Sequence, residues 1–158
     1  MALFDIRELI KMAVKDEETG IAFYQALAES TDQPQIKDGI QAIAAEEEHH
    51  RDRFKGMLEK AGDWEPVEEY SGQYEDYVNA LLENRAFPKP EDAAEEARSV
   101  ASDAEAIDIA IGLEKDTLLF QQEMRGFISP EYNDFVDEII DEERKHVKDL
   151  TRLKSSLK

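Results

Sequence analysis

Apolar side chains recur at alternating steps of four and three residues along four stretches of the chain. That is the spacing of helices that turn one face into a bundle. One stretch reads Ile36, Ile40, Ile43, Glu47, His50, Phe54, Met57, Ala61, and another Tyr132, Val136, Ile139, Glu143, His146, Leu150, Leu153, Leu157. The other two read Leu3, Ile6, Ile10, Ala13, Glu17, Gly20, Tyr24, Leu27 and Ala104, Ile107, Ile111, Glu114, Leu118, Gln121. The pattern predicts long helices over about 3–29, 33–61, 103–125 and 130–157, rich in Ala, Leu, Glu and Lys. Ser102 and Glu105 have the spacing of a capping box, Ser129-Pro130 suits a helix start, and Gly62 and Gly126 suit helix ends.

The segment from about 62 to 102 carries Trp64, Pro66, Pro88 and Pro90 among several tyrosines. A short amphipathic helix is expected over 73–84, and 91–100 is either another helix or an early start of the third long one. A connection this long lets the second and third long helices run parallel. The expectation is an all-α, single-domain four-helix bundle over 1–158, built as two helical hairpins joined by a long crossover.

The seams contain an anomaly. Each long helix sends one carboxylate inward near its midpoint: Glu17, Glu47, Glu114 and Glu143. Two helices add an imidazole one turn later, His50 and His146. A buried carboxylate without a partner is costly, and four together repel one another. No Lys or Arg falls on these seams to balance them. Two divalent cations would bring four positive charges, with neutral imidazoles completing the coordination. The halves of the chain repeat this set: Glu17 and Glu114 lie 97 positions apart, and the two Glu-x-x-His pairs lie 96 apart. Glu46 with His49 is a competing frame, but it leaves the apolar stripe, so both are expected toward solvent or at the edge of the site. Glu142 and Glu18 are also off phase. Tyr24 is either a core tyrosine or a hydrogen-bond donor to a ligand carboxylate.

Composition narrows the chemistry. The 38 acidic residues against 19 basic ones give a formal net charge of -19, which disfavours nucleic acid and anionic membranes as partners. With no cysteine, disulfides, thiol catalysis and sulfur-ligated iron are excluded from this chain. The charged, amphipathic start does not read as a signal peptide, and no apolar run reaches the roughly 20 residues of a membrane span. A cytoplasmic location is expected.

These residues resemble the rubrerythrin family of the ferritin-like superfamily. The resemblance rests on Glu17-Glu-Thr-Gly-Ile-Ala-Phe-Tyr24, Ile43-Ala-Ala-Glu-Glu47-Glu-His-His50, Glu114-Lys-Asp-Thr-Leu-Leu-Phe120 and Asp141-Glu-Glu143-Arg-Lys-His146. It implies a ferritin-like bundle with Glu17, Glu47, His50, Glu114, Glu143 and His146 as ligands of two iron ions, Glu47 and Glu143 bridging them. Manganese suits the same donors. It further implies reduction of hydrogen peroxide, or reaction with oxygen, at that centre. The chain departs from the family where rubrerythrins carry an extra Glu on the third long helix, here Thr117, and in lacking the four-cysteine rubredoxin domain. Electrons would then come from an external donor such as a rubredoxin-like protein. A homodimer is expected. Iron storage or delivery without turnover, and a structural bundle with a vestigial site, remain alternatives.

Overall fold

The computed structural model describes residues 6–61, 72–83, 88–128 and 130–157. Helix α1 runs Ile6–Ser30, α2 Pro34–Lys60, α3 Gly72–Glu83, α4 Pro90–Ser99, α5 Asp103–Arg125 and α6 Asn133–Ser156, with a 3-10 turn at Pro130–Tyr132 before α6. The fold is a ferritin-like helical bundle.

Helices α1 and α2 form one hairpin and α5 and α6 the other. Thr31 Oγ1 and Gln33 Nε2 each donate to Asp103 Oδ2 at 2.8 Å. These bonds tie the α1–α2 turn to the start of α5, so α5 runs antiparallel to α1 and parallel to α2. That is the direction a long crossover permits. Within it, α4 is a separate helix that seats Ala93 and Ala97 in the core, and Thr19 Oγ1 donates to Pro88 O at 2.9 Å to anchor its approach to α1.

The start of α5 follows its capping signal. Ser102 Oγ accepts from Glu105 N at 3.2 Å, while Glu105 Oε2 accepts from Ala101 N, one residue before the position a regular box would use. Gly126 does end α5, but with φ −69° and ψ −17° it closes the helix without a left-handed residue. Pro130 opens the 3-10 turn and does not occupy the first turn of α6. A proline lacks only a donor that any right-handed turn leaves free, so its presence marks a start without specifying which kind. Gly62, Trp64 and Ser129 lie outside the described residues.

The inner line of α5 differs from the expected one. Ile107, Ala110, Glu114, Thr117, Gln121 and Met124 are buried, whereas Ile111 and Leu118 are only half-buried. Apolar residues flank both sides of this helix, so periodicity alone allowed two phases that share Ile107, Glu114 and Gln121.

Two apolar clusters fill the bundle ends. One gathers Ile10, Phe54, Met57, Phe120 and Ile139; the other gathers Phe23, Leu27, Ile40, Ile107 and Leu150. A polar layer lies between them. Among the described residues no helix is long and apolar enough to cross a membrane.

Candidate metal centre

The polar layer is made by the residues that interrupt the seams. Glu17, Glu47, His50, Glu114, Glu143 and His146 are all at most 3% exposed, and no Lys or Arg is buried among the described residues. The structure brings all six together in two groups. One is Glu17, Glu47, His50 and Glu143; the other is Glu47, Glu114, Glu143 and His146. Within each, the donor atoms lie within 4.8 Å of one another, and Glu47 and Glu143 belong to both.

Glu143 faces both histidines, with Oε1 3.2 Å from His50 Nδ1 and Oε2 2.9 Å from His146 Nδ1. His146 Nδ1 also lies 2.8 Å from Glu47 Oε1 and 3.6 Å from Glu114 Oε1, and His50 Nδ1 lies 3.8 Å from Glu17 Oε2. The outer nitrogens point the other way. His146 Nε2 donates to Glu46 Oε2 at 2.6 Å, and His50 Nε2 donates to Glu142 Oε2. Each histidine is thereby oriented by a carboxylate from the opposite hairpin. With Nε2–H engaged, Nδ1 turns its lone pair toward carboxylate oxygens, which needs a proton or a cation between them.

Two further buried groups complete the layer. Tyr24 Oη donates to Glu114 Oε1, and Gln121 Nε2 donates to Glu17 Oε1 and Glu143 Oε1, each at 3.1 Å. Gly20 leaves room beside the site: a Cβ there would rest 3.5 Å from Glu47 Oε2, in ordinary contact.

The electrostatics follow from the crowding. Burial, then repulsion from neighbouring carboxylates, pushes Glu17, Glu47 and Glu114 well above the usual carboxylate range. Burial acts on Glu143 too, but hydrogen bonds from His146 and His50 outweigh it and hold Glu143 below its ordinary value. Burial disfavours charge on His50, yet the Glu143 bond and the charges around it raise it to about 9; His146 is raised further by the same balance. Burial, then the Glu114 charge, raises the Tyr24 hydroxyl, so it acts as a hydrogen-bond donor and stays protonated.

The donor set fits a pair of divalent metal ions. Glu17 Oε2 and Glu47 Oε1 are buried and lack a hydrogen-bond partner. Glu47 Oε1 is close to His146 Nδ1 but off-line for a bond. Hard carboxylate oxygens with imidazole nitrogens suit iron or manganese.

The rubrerythrin family model matches residues 8–154. The chain belongs to the rubrerythrin family. A ferritin-like diiron-carboxylate protein of Thermotoga maritima, known from its crystal structure, shares the fold with a TM-score of 0.75 at 24% identity, over 99% of this chain and 98% of that one. No curated protein matches the sequence.

In this rubrerythrin-family chain, sequence pattern left three residues of the layer without a role. Glu46 lies at the edge of the site, half-buried, whereas His49 is exposed. The signal for Glu46 and Glu142 is a doubled acid, Glu-Glu-x-x-His, in both halves. Gln121 stood on the seam, an amide where an apolar residue would be expected.

Proposed function

We propose that this protein is a cytoplasmic di-iron oxidoreductase that reduces hydrogen peroxide, or reacts with oxygen, using electrons from an external donor. The observation that carries the reading is the pair of overlapping ligand groups sharing Glu47 and Glu143. Glu17 and His50 would complete one position, and Glu114 and His146 the other. Bound there, two ferrous ions would supply two electrons to an O–O bond together with the Lewis acidity that polarises it. Reduction of one peroxide would take up two electrons and two protons and release two waters, the electrons being restored by the external donor.

The chain's own residues set the conditions. Apolar layers on both sides of the centre keep bulk water out. Glu46 and Glu142 fix the imidazole rings, while Tyr24 and Gln121 fix the carboxylates. A rubredoxin-like protein is the class of donor proposed, and a homodimer the assembly. Manganese would fit the same donors.

The test is rapid-mixing spectroscopy on anaerobic protein loaded with ferrous iron. We expect two irons per chain and oxidation by peroxide or oxygen far faster than that of free ferrous iron. Rates no faster than free iron with both oxidants would leave iron storage or delivery as the better account.

A further inference from the structure

We propose that Gln121 is a positioning residue for only one of the two metal positions, the one on the His50 side, and so makes the duplicated centre unequal. This rests on the metal-centre reading above.

The halves of the centre correspond at a fixed offset. Glu17 and Glu114 are 97 positions apart, and so are Tyr24 and Gln121. The correspondence extends to bonding: Tyr24 reaches across to the carboxylate of the other half, Glu114, and Gln121 reaches back to Glu17. One half therefore has a phenol where the other has an amide, and the two groups differ in what they hold. A phenol donates a single hydrogen bond. The amide nitrogen donates two, to Glu17 Oε1 and Glu143 Oε1.

Both contacts bear on the His50 side. Glu143 Oε1 is the atom near His50, and Glu143 Oε2 is the atom near His146. Glu17 belongs only to the His50 group. Gln121 thus fixes the separation of two carboxylates on the His50 side; it reaches the other position only through the shared Glu143, at Oε1 and not at the Oε2 that faces His146, and there Tyr24 holds Glu114. The amide orientation is set by its neighbours, since turning it over would press Oε1 against two carboxylate oxygens. Gln121 Oε1 is left buried without a partner. A leucine of similar size would avoid that cost, so packing alone gives no reason for an amide here.

The experiment titrates anaerobic protein with Mn2+, counting the free ion by its electron paramagnetic resonance signal. Gln121→Leu should weaken one of the two binding steps by about tenfold or more and leave the other within about twofold. Single-position variants assign the step: Gln121→Leu should weaken Mn2+ binding in the His146→Ala background and leave it unchanged in the His50→Ala background. Equal weakening of both steps, or of neither, overturns the proposal. Should Gln121→Leu lose its cooperative melt, Gln121→Asn withdraws the amide by one methylene and must give the same one-step pattern. Wild-type protein that takes up no Mn2+ or Fe2+ would instead overturn the metal-centre reading itself.

Discussion

Glu47 lies in the dry seam as a member of both ligand groups, while Glu46, one residue earlier, reaches around the edge of α2 to His146 Nε2. Their substitutions should therefore differ in kind. Glu47→Ala should abolish retention of both metals. Glu46→Ala should keep both positions but weaken binding by about 10–100-fold, the usual cost of removing a partner that orients a ligand histidine. Metal content after anaerobic loading and dialysis separates the two, and equal losses would mean the phase of α2 is misassigned. The crowding of acids makes a second prediction. Glu17, Glu47 and Glu114 are raised above 4.5, and His50 rises from 6.5 to about 9. The folded metal-free chain therefore holds protons that the unfolded chain has already released. Their stabilising contribution is complete below the ordinary values and is lost as pH climbs through the folded ones. Glu143, shifted downward, acts oppositely and loses its contribution only in strong acid. The melting temperature of metal-free protein should thus fall as pH rises from about 5 to about 9. Saturating Mn2+ should flatten that slope, because metal replaces the protons. A metal-free melting temperature that climbs across this range would contradict the electrostatics described.

At the level of helices, the long elements were legible because a three-four spacing needs no tertiary information. The ends and the rotation of α5 were less so. Its start was readable, since Ser102 supplies its own cap. Ser102→Ala should cost about 1 kcal/mol in chemical denaturation. Glu114 lies about three turns further along, so metal affinity should stay unchanged; a parallel loss of affinity would show that the cap also governs the centre. The rotation of α5 was not readable, because Ile111 and Leu118 offer an apolar line as good as the one through Ala110 and Thr117. Neighbouring helices make that choice. The hydrogen-bonded roles of Glu46 and Glu142 were hidden for a related reason. Both stand off the apolar stripe, and only the approach of α2 to α6 reveals what they hold.

Across the whole molecule, the bonds that steady the proposed ligands from outside their own set pass between hairpins, apart from that of Gln121 to Glu143 within the second. Glu46 of the first seats His146 of the second, and Glu142 seats His50 in return. Tyr24 reaches Glu114, and Gln121 reaches Glu17. The internal repeat was visible as matching offsets, but the direction of this support was not, because offsets carry no geometry. As far as the centre is concerned, the crossover is then a tether, and the smallest competent unit is a pair of hairpins whether or not a peptide joins them. Cutting the chain within the crossover and expressing the halves apart should yield two fragments that each leak Mn2+ on dialysis. Mixing them should restore tight uptake. A single diluted fragment that retained the ion as firmly as the intact chain would show that each half had been self-sufficient all along.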